Sequence, residues 1–176
     1  MVNYFELYGI PQSFNPDPAV VKAKYYELSR QYHPDRFSMA EEEEQALALQ
    51  LSSANNQAWK TLNNPDATMS YVLKLEGMLE DEEKYSLPPA FLMEMMELNE
   101  LLSEYEMEDA GEETLERARH MLQELLQDWE NETRPLVGKY DTGDHSRLLL
   151  GQIKEQYFRK KYLLRIQERM NSFATR

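Results

Sequence analysis

Residues 30–37 read RQYHPDRF, and this stretch decides the fold. Pro34 has no amide hydrogen, fixes its own φ and pushes His33 out of the α region, so a helix arriving from the N-terminal side must stop here. The run before it, Pro18 to Tyr32, places Val21, Tyr25, Leu28 and Tyr32 at spacings of 4, 3 and 4, an apolar stripe on one helix face. Asp17 suits the N-cap and Pro18 the first helical position. The run after it, Glu42 to Leu62, continues Leu47, Leu51, Ala54, Ala58 and Leu62 at helical spacing, with Trp59 beside that stripe. Two antiparallel helices thus flank a stiff turn on which Asp35 and Arg36 stand exposed with opposite charges. That arrangement suits docking better than a catalytic pocket.

Outward from the hairpin, NYFELYGI at 3–10 reads as one short helix. Asn64-Pro65 breaks the long helix, and Pro65 suits the first turn of another. Its apolar side is Tyr71, Val72 and Leu75, and Gly77 ends it. The acidic run Glu41 to Glu44 reads as a solvated helix start favoured by the macrodipole. Residues 78–89, MLEDEEKYSLPP, read as a linker. From Ala90 the pattern changes to long helices. Phe91, Met95, Leu98, Leu102 and Tyr105 form one seam, Leu115, Ala118, Leu122, Leu125 and Trp129 a second, and Leu150, Ile153, Tyr157 and Leu164 a third. Pro135 is expected to kink or end the second of these helices, with Lys139 to Asp144 as a loop or frayed end. The expected organisation is all-α: a domain over 1–77, a linker over 78–89 and an up-down-up three-helix bundle over 90–176.

The helix at 90–106 carries more apolar surface than one seam needs. At about 100° per residue, Met93 and Met96 point away from the Phe91–Tyr105 seam, as do Glu97, Glu100 and Glu104, with Leu92 on the border. This patch either packs against another part of the chain or receives a partner, since exposed methionine surfaces bind adaptably.

Composition narrows the function. Hydrophobic content of 41% over 176 residues supports one domain or two small ones. No apolar run reaches the length of about 18 residues needed for a membrane span. No signal or transit segment is read at the N-terminus. The absence of cysteine excludes disulfides and thiolate metal sites and fits a reducing cytoplasm, the expected location. A net charge of −13 argues against nucleic acid and anionic membrane as partners. Yet Lys22, Lys24, Arg30 and Arg36 cluster around the second helix and its loop. They are either ordinary surface charge or a contact face for an acidic partner. The three histidines, 33, 120 and 145, are scattered, and no nucleophile motif, phosphate loop or metal-ligand spacing is present. Neither enzymatic activity nor a cofactor or metal is expected.

The His33-Pro34-Asp35 loop between helices, with NYFELYGI before it and NQAW (56–59) and YVLKLEG (71–77) after it, resembles the J domain. The combination is most similar to the HscB-type co-chaperones of iron–sulfur cluster assembly. The likeness is to the bacterial form, because the paired N-terminal cysteines of many eukaryotic relatives are absent. It extends over nearly all of the chain. The resemblance implies a J domain, a helical hairpin with the His-Pro-Asp loop plus short helices, joined to a C-terminal three-helix bundle. It implies an HscA-type, DnaK-family chaperone docking on His33, Pro34 and Asp35 with Lys22, Lys24, Arg30, Gln31 and Arg36. It also implies an IscU-type scaffold protein bound by Leu92, Met93, Met96, Glu97, Glu100 and Glu104 within FLMEMMELNELLSE (91–104), joined by Phe158 of QYFRKKY; Phe158 lies about one residue off the Leu150–Tyr157 seam, so burial is its alternative.

Thr68 stands where the family often has arginine, and Gln31 where general J domains carry a base. Both departures argue against broad use of the general DnaK chaperone and leave the match to the specialised subfamily intact. Two alternatives stay open. A general J-type co-chaperone for another client would show no selective scaffold binding. A small acidic helical enzyme or metal-binding protein would need a preorganised polar site, which the sequence does not supply.

Overall fold

In the computed structural model of the protein, residues 2–107 and 111–173 are described; the outermost residues of both expected domains lie outside them. Within these residues the regular structure is helical, without a strand. The chain divides into two compact units, Met1–Gly77 and Met78–Arg176.

Local signals set the helices of the first unit. Asn3 caps α1 (Tyr4–Tyr8) by accepting from the amides of Phe5 and Glu6, and Gly9 leaves it at φ 61°, a left-handed turn that glycine adopts without strain. Asp17 caps α2 (Pro18–Gln31) through the Ala19 amide at 2.8 Å. A short 3₁₀ turn, Pro34–Phe37, joins it to α3 (Glu42–Leu62). Asn64 caps α4 (Pro65–Leu75) through the amides of Asp66 and Ala67.

Helices α2 and α3 form an antiparallel hairpin. Tyr25 stacks on Trp59 with centroids 4.8 Å apart. The buried face of α3 differs from the expected stripe: Ala48, Asn55, Ala58 and Leu62 are inside, while Leu47 is 56% exposed. The inside position taken by Asn55 has a clear purpose. Its amide donates to the Tyr25 carbonyl and to Ser29 Oγ, both at 3.0 Å, and its oxygen accepts from the Tyr8 hydroxyl at 3.0 Å. One buried side chain thereby ties α1 and α2 to α3. Burial pushes the Tyr8 hydroxyl well above its ordinary pKa, so it remains a donor. Thr68 is buried too, its hydroxyl donating to the Thr61 carbonyl at 2.9 Å, which joins α3 to α4.

The second unit contains α5 (Pro89–Glu106), α6 (Glu112–Asp141) and α7 (Arg147–Phe173). Phe91, Met95, Leu98 and Leu102 interlock with Leu115, Ala118 and Leu122 of α6 and with Leu163, Ile166 and Met170 of α7. The α7 seam lies one residue from expectation: Gln156 and Leu163 are buried, whereas Tyr157 and Leu164 are only half-buried. Helix α6 does not end at Pro135 but runs on to Asp141. Pro135 and Asn131, whose carbonyl loses its helical partner, are both exposed, so water replaces that bond. Buried Thr133 and Tyr140 on either side keep the last turns packed, and Tyr140 stacks on His145 at 4.2 Å across the connection to α7.

At about 1.5 Å per residue, α6 and α7 outreach α5 by roughly 13–18 Å. The segment before α5 packs along the part of α7 that α5 does not reach. Met78 meets Arg147, Glu83 pairs with Lys154, Tyr85 stacks on Phe158 and Phe91 packs edge-on to Tyr162. The stretch 78–88 therefore follows α7 in parallel, with Leu79 buried and Leu87 packed on the core.

Candidate functional site

Two surfaces carry the expected site residues, one on each unit. The first is the α2–α3 connection. His33 serves as N-cap of the 3₁₀ turn: its Nδ1 accepts from the Asp35 amide at 3.3 Å. The proton of the neutral ring then sits on Nε2, directed away from the turn. Pro34 occupies the first position of the turn, and Asp35 and Arg36 are exposed. Arg36 donates from Nη1 to the Arg30 carbonyl at 3.1 Å, placing a cation at the negative C-terminal end of α2. Ser38 closes the turn by donating to the Asp35 carbonyl at 3.0 Å. The loop is thus held by its own hydrogen bonds while the His33 ring and Asp35 carboxylate face solvent.

The basic residues line up with it. Lys22 and Arg30 are two α-helical turns apart on the exposed face of α2, with Tyr26, half exposed, between them. Lys24 pairs with Glu27 at 3.0 Å and lies to one side, and Gln31 donates to the Tyr32 hydroxyl at 3.1 Å. Sequence reading missed Tyr26, since it sits next to Tyr25 and only the spacing to Lys22 and Arg30 separates the outer ring from the inner one. It also missed a shallow apolar hollow beside the loop, lined by Pro34, Phe37, Ala46 and Leu49. Those residues come from two segments that no single periodicity connects.

The second surface is the outer face of α5. Leu92, Met93 and Met96 are 40%, 70% and 57% exposed, while Phe91, Met95 and Leu98 between them are buried. Glu97, Glu100 and Glu104 are exposed along the same side. Helix α5 has no lysine or arginine. None of these three carboxylates is ion-paired among the described residues, although Glu83, Glu106, Glu116, Glu130, Glu132 and Glu155 of the same unit all are. An apolar strip therefore lies beside an unneutralised acidic one.

Phe158 departs from expectation. It is 8% exposed, its ring covered by Tyr85 at 4.5 Å and an interplanar angle of 2°. Its place on α7 turns it under the 78–88 segment rather than towards solvent. No group of three or more histidine, cysteine, aspartate or glutamate side chains among the described residues is arranged to hold a metal, and no helix there is long and apolar enough to cross a membrane.

Residues 87–171 match the family model described as the HSCB C-terminal oligomerisation domain. Over 99% of its length the chain also resembles two solved structures. Chaperone HscB from Vibrio cholerae is 25% identical with a TM-score of 0.71, and 98% of that chain is covered. The human co-chaperone HscB is 27% identical with a TM-score of 0.77, and 83% of it is covered. With a His-Pro-Asp loop on the hairpin of its first unit and a helical second unit that the family model matches, the chain is similar to the HscB-type co-chaperones in both of its units.

Proposed function

We propose that this co-chaperone stimulates ATP hydrolysis by an HscA-type, DnaK-family chaperone and delivers to it an IscU-type scaffold protein during iron–sulfur cluster assembly. The chaperone docks on His33, Pro34 and Asp35 with the basic side of α2: Lys22, Lys24, Arg30, Gln31 and Arg36. All ATP chemistry belongs to the chaperone. The scaffold docks on Leu92, Met93, Met96, Glu97, Glu100 and Glu104. Holding both at once raises the effective concentration of scaffold beside the chaperone, which replaces a diffusional encounter by a tethered one.

The observation that carries this reading is the outer face of α5, exposed methionine and leucine beside carboxylates with no cation of their own. Such a face fits a partner that brings an apolar contact rimmed by lysine or arginine. Calorimetric titration with an IscU-type scaffold tests it. Saturable binding is expected, weakening as salt is raised because exposed charges are screened. No binding at any salt concentration would remove the scaffold from the account.

A further inference from the structure

The strap 78–88 lays Tyr85 over Phe158, and several contacts hold it there. The Lys154 ammonium donates to the Glu83 carboxylate and lies 5.9 Å from the centroid of the Tyr85 ring. Leu79 and Leu87 anchor the strap on either side. Tyr85 itself is only half-buried, so part of its ring stays outside.

The position of that ring follows from helix periodicity. Phe158 and Tyr162 are four residues apart, one above the other on α7. The Tyr162 hydroxyl accepts from Asn99 Nδ2 at 3.1 Å. Asn99 continues Leu92 and Met96 along one edge of α5, at spacings of 4 and 3. The edge of α7 that Tyr85 covers thus adjoins the edge of α5 that carries the apolar patch. Along α7, Tyr85 lies about one turn, roughly 5 Å, from the level of Phe91 and Leu92.

We propose that Tyr85 is the aromatic anchor of the α5 partner surface: its ring, backed by Phe158, extends the Leu92–Met96 patch to α7 and is itself what the basic, partly apolar partner meets. Phe158 supports that ring from beneath. A tyrosine already stacked on Phe158 and flanked by the Lys154 ammonium loses little freedom on binding, and such rigid aromatics dominate interface energies. This inference rests on the scaffold-binding reading and adds to it a residue from outside α5.

Full-length variants titrated calorimetrically with an IscU-type scaffold protein test it. Tyr85→Phe should bind like the parent chain, and Tyr85→Ala about tenfold more weakly. Phe158→Leu, which nearly conserves buried volume, should lose less than about threefold. Glu83→Gln, which keeps the ring but loosens the strap, should fall between. Undiminished binding by Tyr85→Ala, or a larger loss from Phe158→Leu than from Tyr85→Ala, overturns the proposal. If the alanine variant melts early, Tyr85→Leu keeps Phe158 covered without a ring. It should still bind weakly, and parental affinity there also overturns the proposal. Failure of the parent chain to bind is a different result, because it removes the scaffold-binding reading together with this addition.

Discussion

Replacing Leu92, Met93 and Met96 together by alanine strips the apolar part of the α5 face without touching the seam beneath it. The exposed fractions of the three residues, 40%, 70% and 57%, amount to somewhat under two whole side chains. Full burial of one such side chain is worth about 1.5–3 kcal/mol, so complete cover by a partner would contribute roughly 2.5–5 kcal/mol. Alanine retains its methyl group, and association realises only part of an interface's apolar area. Half the figure gives scaffold binding weaker by about ten- to seventyfold. The thermal melt should not fall, since Phe91, Met95, Leu98 and Leu102 stay in place and alanine favours helix. Stimulation of the chaperone by the J domain in the absence of scaffold should persist. Calorimetric titration beside a thermal melt reads both quantities. Unchanged affinity would remove these residues from the interface, and a melt that fell with the affinity would show that they are core.

Two further predictions follow from buried and clasped polar groups. Asn55→Ala leaves the Tyr8 hydroxyl, the Tyr25 carbonyl and Ser29 without a shared partner. It should destabilise the first unit by about 2–4 kcal/mol and lower its melt, while Leu47→Ala, at an exposed position of the same helix, should change stability by less than about 0.5 kcal/mol. The hydrogen bond from Lys154 holds the Glu83 carboxyl below its ordinary value of 4.5. Because the folded value is the lower one, the clasp contributes above pH 4.5 and is lost as pH falls through the depressed value. Magnetic resonance of the Tyr85 ring should show an acid transition below pH 4.5 that Glu83→Gln abolishes, and an identical transition in the variant would refute the clasp.

Much of the fold was legible because helix ends are set locally. Asp17-Pro18, His33-Pro34 and Asn64-Pro65 each combine a side-chain cap with a proline whose fixed φ suits the first helical position, and the helices start there. The outer face of α5 was legible for a related reason: a regular Phe91–Tyr105 seam leaves Met93 and Met96 no inward direction. What sequence reading missed depends on distant partners. Asn55 is polar, so an apolar stripe skips it, although three hydrogen bonds make it an inside residue. Pro135 signals a break, but its unbonded acceptor faces water and packing on both sides carries the helix through. In α7, apolar residues occupy more than one face, so the seam could be placed one residue away. The strap 78–88 has no period and reads as a linker. Its order comes from Glu83–Lys154 and Tyr85–Phe158, pairs separated by about seventy residues. Phe158, which the seam left open to either burial or the surface, lies beneath the strap.

The most direct test of the whole account is the steady-state ATPase rate of an HscA-type chaperone, measured with the parent chain and with His33→Gln, each with and without an IscU-type scaffold. The parent chain should raise the rate alone and raise it further with scaffold present. His33→Gln should raise it in neither case while keeping the parent's helicity and melt, because His33 is exposed and caps only a short turn. A chaperone rate that the parent chain leaves unchanged, or that His33→Gln raises just as well, would contradict the account.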